Sequence, residues 1–156
     1  METSRRKTLD THYDNNYFST MKTVRTKTSE MYFDEHGILH KTVIENCHVD
    51  LEALKESDRI TREFTNNEKV LMLYDARNHF TVTEDAMQYS QKDIFSKQRI
   101  ATAIVSSKTG IKITVDFMNN NMKMPVPVKI FANTEDAIKW LLTFKKSTEK
   151  KTSLKN

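Results

Sequence analysis

The chain has few of the residues that several common kinds of binding site require. Its 156 residues include one cysteine, Cys47, which excludes an internal disulfide and any metal site built from several cysteines. The two glycines, Gly37 and Gly110, are too few and too far apart for a glycine-rich phosphate-binding loop. Disulfide scaffolds, cysteine-zinc modules and nucleotide-binding proteins of the glycine-loop type are therefore disfavoured.

Long hydrophobic runs are also missing. The longest apolar runs are about five residues, such as Val70 to Tyr74, whereas a membrane helix needs roughly 20. No charged-then-apolar signal peptide opens the chain. Together with the single cysteine, these absences predict a soluble protein of the reducing cytoplasm that has no membrane partner.

The positive charge is concentrated at one end of the chain. The formal net charge is +4, and residues 145–156, with five lysines and one glutamate, account for all of it. A nucleic-acid surface needs several cations on one face, because binding is driven by counterion release. We therefore interpret the lysine-rich end as a solvated tail and expect no nucleic-acid partner.

The length predicts one domain with polar ends. Apolar residues make up 37% of the chain and occur in compact runs, which favours a folded core over disorder. Residues 1–20 are polar and predict a disordered or loosely attached segment. We place one domain at residues 21–146 and a basic tail at 147–156.

The first half of this domain predicts a hairpin, a helix and a buried strand. Residues 21–33 and 38–44 have β-favouring patterns on either side of a turn at 34–37. Asp50 is placed to cap a helix whose face includes Ala53, Leu54, Ser57, Thr61 and Phe64. Lys69 to Asp75 is an apolar run typical of a central strand covered on both faces.

Strands and helices alternate in the second half. The predicted elements are a helix capped by Thr83 and reaching about Lys97, a strand from Ile100 to Val105, a strand from Pro125 to Ala132, and a last helix capped by Thr134.

Residues 109–121 fit two structures. Ile111, Ile113, Val115 and Phe117 alternate as in a strand, and β-branched residues favour that state, while Ile111, Val115 and Met118 also fit one helical face. A parallel strand before and after this segment requires a crossover connection. We therefore predict a helix here.

The segment from about Lys22 to Lys146 resembles the STAS-like family, the fold of anti-sigma factor antagonists. The resemblance rests on the residues at 31–40, 71–77, 127–131 and 136–141. It implies an α/β fold in which a mixed sheet with an N-terminal β-hairpin has about four helices packed on it. It also implies a helix at 109–121. The bacterial subgroup that the chain resembles has no assigned activity.

Antagonists of this family carry a phosphorylatable serine, usually in an Asp-Ser-Ser-Gly context, where the helix after the central strand begins. The corresponding residues here are Phe80-Thr81-Val82-Thr83-Glu84-Asp85, without the serine pair or the glycine. Thr83 is the phosphoacceptor candidate, and two neighbouring carboxylates argue against that role.

The best candidates for a binding loop follow the central strand. Asp75 and Arg77 lie at its carboxyl end, where ligands bind in open α/β sheets, and Asn78, Thr81 and Thr83 continue the loop. The alternative, which we favour for Asp75 and Arg77, is that they organise the loop through an ion pair and hydrogen bonds.

Metal and cofactor sites are not predicted. His36 and His40 have the spacing of a metal-binding pair on a helix, but on a hairpin they predict two exposed histidines beside the turn. No cluster supplies three or four ligands. We expect no metal and no cofactor, and interpret Cys47 as a small apolar residue.

These features favour a non-enzymatic STAS-like domain of bacterial regulation that binds a partner protein. Its predicted contact surface is the loop from Asp75 to Thr83 and the adjoining helix, and a homodimer is a further interpretation. The alternative is a carrier or sensor of a small apolar ligand held between helices and sheet. An enzyme is the third and least favoured class.

Overall fold

A computed structural model describes residues 22–94 and 98–153, which form eight strands and four helices. The segment 1–20, predicted to be loosely attached, lies outside these residues. The strands are β1 (Val24–Arg25), β2 (Ser29–Phe33), β3 (Ile38–Val43), β4 (Cys47–Val49), β5 (Val70–Asp75), β6 (Phe80–Val82), β7 (Arg99–Val105) and β8 (Val128–Phe131). The helices are α1 (Leu51–Phe64), α2 (Glu84–Ile94), α3 (Thr109–Asn121) and α4 (Thr134–Ser153).

Six strands form one mixed sheet in the order β1-β2-β3-β5-β7-β8. The first three are antiparallel, and β3, β5, β7 and β8 are parallel. The hairpin between β2 and β3 is confirmed, and Gly37 adopts a φ of 74° in its turn, a conformation that favours glycine. β5 lies between β3 and β7, so the prediction of a central strand is also confirmed.

A second, two-stranded parallel sheet pairs β4 with β6. Val49 lies opposite Val82, and the carbonyl of Val49 accepts from the Thr83 amide at 3.0 Å. The interpretation of residues 75–83 as one continuous loop is therefore wrong for residues 80–82. Three residues are too short for an alternating pattern, and the partner strand lies more than thirty positions earlier in the chain.

The cap of α1 is as predicted, and that of α4 is made by a different residue. Asp50 accepts from the Ala53 amide at 2.8 Å and caps α1 as predicted. The prediction that Thr134 caps the last helix is wrong, because Thr134 is the first helical residue. The cap is made by Asn133, whose Oδ1 accepts from the Asp136 amide at 2.9 Å.

The ambiguous segment forms a helix, as predicted. α3 connects the parallel strands β7 and β8, and it buries Val115 and Met118 while Ile113 and Phe117 face solvent. The requirement for a crossover outweighs the β-propensity of its branched residues.

The strand β8 is shorter than predicted, and the last helix, for which no end was predicted, is long. β8 begins at Val128, so both prolines precede the strand instead of opening it. α4 continues to Ser153, so residues 147–153 extend the last helix beyond residue 146, where we placed the end of the domain.

The helices cover the two faces of the large sheet unequally. α4 packs on one face, where Ala137 and Leu141 meet a cluster that includes Leu73, Ala103 and Val105. The opposite face carries α1, which packs near Met31, Leu39 and Met72, and α3, which packs near Ile104 and Val128. Over the described part of the chain, no helix combines the length and apolar character needed to cross a membrane.

Candidate functional site

The predicted pair Asp75 and Arg77 forms a tight local contact. Arg77 donates from Nη2 to Asp75 Oδ2 at 2.6 Å, and from Nε and its own amide to Asp75 Oδ1 at 3.0 and 3.1 Å. Burial alone would raise the pKa of Asp75, but the hydrogen bonds and charge of Arg77 hold that pKa below its ordinary value. Arg77 also reaches Thr134 Oγ1 at 3.4 Å. The contact ties the end of β5 to the start of α4.

Asn78 and Thr81 also make local contacts. Asn78 donates to the Val43 carbonyl at 2.8 Å, and the hydroxyl of Thr81 is 2.7 Å from Nδ1 of His48 on the neighbouring strand. These side chains connect the segment after β5 to β3 and β4. A binding role for Asp75, Arg77, Asn78 or Thr81 stays a prediction.

Thr83 and Asp85 together complete the N-terminus of α2. The Thr83 hydroxyl donates to Asp85 Oδ1 at 2.5 Å, and this bond is the main cause that lowers the pKa of Asp85. The Ala86 amide lies 2.8 Å from Asp85 Oδ1 and 3.4 Å from Thr83 Oγ1. Because a carboxylate already faces the hydroxyl, a phosphate on Thr83 would meet like charge. That Thr83 is not a phosphoacceptor stays a prediction.

A cavity of about 480 Å³ lies between the sheet and helices α1, α2 and α3. This size falls within the range of small-molecule sites, roughly 300–1,000 Å³. Most of its wall is apolar. The main apolar lining residues are Val49, Leu54, Met72, Ala76, Phe80, Val82, Met87, Ile104, Ile111, Val115 and Met118.

The cavity reaches solvent between α2 and α3. Met87 on α2 lines it and is 45% exposed, and the exposed residues Gly110 and Thr114 line it from α3. A small molecule therefore has a route to the interior that leaves the sheet intact.

One side of the cavity is polar. Thr28, Ser29 and Ser57 line it there, and the Oγ atoms of Ser29 and Ser57 are 3.2 Å apart. Lys41 lies beside them, and its Nζ donates to Thr61 Oγ1 at 3.1 Å.

Three cations and no carboxylate line the cavity among the described residues. Lys41 and Arg99 are 5% and 7% exposed. Lys108 lies at the end next to the loop, where its Nζ donates to the Asn78 carbonyl at 2.6 Å and sits 4.2 Å from the centroid of the Phe80 ring. Three basic side chains therefore line a mainly apolar space.

The opposite face of the sheet holds a second polar cluster. His40 stacks on Tyr32 with ring centroids 4.8 Å apart, and its Nε2 donates to Asp34 Oδ2 at 2.8 Å. The prediction of two exposed histidines is wrong for His40, which is 8% exposed. The stacked ring of Tyr32 covers the His40 ring on this face of the sheet. Burial raises the pKa of the Cys47 thiol, which agrees with its interpretation as an apolar residue.

Metal binding finds no support in the described residues. Within the ranges 22–94 and 98–153, no three histidine, cysteine, aspartate or glutamate side chains are grouped so that they could hold a metal ion.

The mixed sheet with four helices is a SpoIIAA-like fold, the STAS-like class that the sequence resembles. A solved protein from Shewanella loihica PV-4, described as an uncharacterised protein of the DUF3478 family with a SpoIIAA-like fold, is similar at a TM-score of 0.53 and 13% identity. The match covers 78% of this chain and 92% of that one. At this identity the likeness shows the fold alone.

The chain belongs to the family described as "Domain of unknown function (DUF7793)", whose model matches residues 31–145. A protein of unknown function from Arthrobacter sp. FB24 is 19% identical over 76% of this chain and 95% of its own, at a TM-score of 0.25. No curated protein matches the chain significantly.

The sequence patterns did not identify the polar side of the cavity. One signal was present: Lys41 stands between Leu39 and Val43 at a spacing of two, so strand alternation places it on the same face as two buried residues. A lysine on the inner face of a strand is unusual enough to mark a site.

Proposed function

We propose that this domain is a non-enzymatic module that binds a small, largely apolar molecule in the cavity between the sheet and helices α1, α2 and α3, as its carrier or sensor. The observation that carries the proposal is the cavity itself, which has the size of a ligand site and a mostly apolar wall. The SpoIIAA-like fold is compatible with this role but does not specify it.

The cavity also has the access that a carrier needs. Its mouth lies between α2 and α3, which are separate elements with the strand β7 between them in the chain. Movement of α2 or α3 would change the volume of the cavity without breaking any strand pairing. Ligand binding would thus change the positions of α2 and α3 and, with them, the outer surface that these helices form.

We test this function with a matched pair of variants on α3. Ile111 lines the cavity, whereas Ile113 is 63% exposed on the same helix. Wild-type protein should bind the neutral dye Nile red with one-to-one stoichiometry, as measured by fluorescence titration. Ile111→Trp should weaken binding at least about tenfold by filling the space, and Ile113→Trp should leave it unchanged. Equal effects of the two variants, or no saturable binding by wild type, would count against the cavity as a ligand site.

Binding of a partner protein is the second candidate function. The described residues with large, exposed apolar side chains are Met87, Ile113, Phe117 and Met122, and none lies between Asp75 and Thr83. This observation favours the outer surface of α2 and α3 over the loop as the contact, because exposed apolar groups are typical of interfaces. In this role the domain is regulatory, and the state of the cavity would set the surface that the partner meets.

Photo-crosslinking in cells tests the second function. A photoreactive amino acid at Phe117 should give one discrete adduct with another protein, whereas the same group at Lys139, exposed on α4, should give none. An adduct of twice the chain's mass would identify a homodimer instead. Adducts of equal yield at both positions would contradict a contact surface on α3.

A further inference from the structure

We propose that the ligand is an amphiphile with a single anionic head group, which Lys41 binds together with the hydroxyls of Ser29 and Ser57. Its apolar body would lie among the side chains of β7, α2 and α3. This inference rests on the proposed function and adds to it the charge and the orientation of the ligand.

The polar side of the cavity is a connected and buried cluster. Lys41 donates to Thr61 Oγ1 at 3.1 Å, and the Thr61 hydroxyl donates to the Ser57 carbonyl at 2.7 Å. The Ser57 hydroxyl is 3.2 Å from that of Ser29. Ser29 and Ser57 are 2% and 0% exposed, so their hydroxyls are shielded from solvent and come into contact with a ligand only when side chains at the cavity wall move.

An ammonium and two hydroxyls suit an anion. A lysine ammonium carries three donors, and each serine hydroxyl can turn its hydrogen toward an incoming acceptor. Hydrogen bonds from these groups to an ionised oxygen are stronger than those to a neutral one. A neutral or cationic head group would gain less from the same site.

The basic residues that line the cavity also favour an anionic ligand. The cations Lys41, Arg99 and Lys108 line the cavity, and no described lining residue is acidic. A basic side chain at the wall attracts an anion and repels a cation, and this difference is larger in an apolar space than in water. The basic lining residues therefore favour an anionic ligand over a cationic one.

The other two cations fit the head group less well. Lys108 lies at the end next to the loop, engaged with the Asn78 carbonyl and the Phe80 ring. Arg99 pairs with Val70 and Lys41 with Tyr74, four positions apart on β5, or about 13 Å along the strand. The guanidinium of Arg99 contacts the sulfur of Met72, whereas Lys41 lies beside the hydroxyl cluster.

The remaining wall suits the body of an amphiphile. Ile104, Val115 and Met118 belong to one buried cluster and line the cavity. Methionine side chains adapt to ligands of different shape, which fits an alkyl chain or a ring system.

A series of head groups on one chain tests the inference in the wild-type protein. Dodecanoate, dodecyl phosphate, dodecanol and dodecylamine are titrated below their micelle concentrations by displacement of Nile red. Both anions should bind about 10- to 100-fold more tightly than the alcohol, the range expected for hydrogen bonds to a charged group, and the amine should bind most weakly. This comparison needs no variant to fold.

Lys41→Met and Lys108→Met form a matched pair, because each removes one cation from the same cavity. Lys41→Met should bring dodecanoate to the affinity of dodecanol, and Lys108→Met should retain most of the preference for the anion. If Lys41→Met fails to fold, Ser57→Ala should weaken dodecanoate severalfold and leave dodecanol unchanged. An anion preference that survives Lys41→Met, or is lost equally in both lysine variants, would overturn the assignment to Lys41.

The ligand site and the anionic head group can be refuted separately. Tight binding of all four probes with equal affinity would refute the anionic head group and leave the apolar cavity as a ligand site. Displacement of Nile red by none of the probes, together with equal effects of Ile111→Trp and Ile113→Trp on the dye, would refute the ligand site and the inference with it.

Discussion

Replacing Leu141 with alanine is expected to lower the free energy of unfolding by about 2–5 kcal/mol, the range for large-to-small substitutions in a protein core. Leu141 is fully buried on α4 and belongs to the cluster that includes Ile38, Leu73 and Ala103. Among the described helices, α4 is the one that packs on this face of the sheet, so no neighbouring helix can move in to fill the space. Urea unfolding followed by circular dichroism measures the change.

A matched control uses an exposed aliphatic residue on another helix. Ile113→Ala on α3 should change the free energy of unfolding by no more than about 0.5 kcal/mol, because Ile113 is 63% exposed and alanine has the higher helix propensity. A loss of less than about 1 kcal/mol for Leu141→Ala would mean that α4 does not pack on the sheet as described. The cavity lies on the opposite face, so Nile red binding by folded Leu141→Ala should match that of wild type.

Alternation and capping made the hairpin, α1 and β5 predictable. Each of these elements has a long or well-marked pattern, such as the unbroken apolar run of β5 or the carboxylate of Asp50 ahead of a helical face. α3 was predictable only from its neighbours in the chain, because its own β-branched residues favour a strand. Topology decided that segment, whereas local propensity alone would have given the wrong structure.

The small sheet of β4 and β6 could not be predicted in the same way. Its strands have three residues each, and residues Cys47 and Phe80, which pair in it, are far apart in sequence. Pairing between two such short segments depends on how the rest of the chain brings them together. This pairing places Phe80 and Val82 at the cavity wall, so the loop that we predicted as a binding surface contributes to the cavity instead.

The cavity also depends on contacts between distant elements. Ser29 on β2, Lys41 on β3 and Ser57 on α1 have no spacing in common, and each separately looks like an ordinary polar residue of its element. The inner-facing position of Lys41 was the one local signal. The sequence could therefore predict the class of fold and suggest an apolar-ligand carrier as an alternative, but the site itself required the packing of α1 on the sheet.

Replacing Asp34 with asparagine is expected to destabilise the protein at neutral pH by about 1.5–3 kcal/mol, the range for hydrogen bonds to a charged group. Asp34 Oδ1 accepts from the amides of His36 and Ile38, both at 2.9 Å, and Oδ2 accepts from His40 Nε2 at 2.8 Å. The side chain is 9% exposed. Asparagine keeps one oxygen for the turn amides but loses the charge and the second acceptor.

The stability lost in Asp34→Asn should be smaller in acid than at neutral pH. Burial of Asp34 would raise its pKa, but the hydrogen bonds from His40 and the two amides outweigh it, so the pKa in the folded protein lies below its ordinary value. A carboxyl whose pKa is depressed by folding stabilises the protein above its unfolded pKa of about 4, and this contribution is lost as the pH falls through the folded pKa. The difference between the unfolding free energies of wild type and Asp34→Asn that comes from this carboxylate should therefore be fully present above about pH 4 and shrink below it.

Urea unfolding at pH 7, 5 and 3 measures this difference, and Glu35→Gln provides the matched control on the same turn. Glu35 is exposed, and its contact with His36 is a surface pair at 3.6 Å, so its removal should change stability little at any pH. Asp34→Asn should keep some pH dependence of its own, because the pKa of Asp75 is also lowered by its contact with Arg77. A difference between wild type and Asp34→Asn that stays constant from pH 7 to pH 3 would show that the shape of the turn matters and that the ionised carboxylate adds nothing to it.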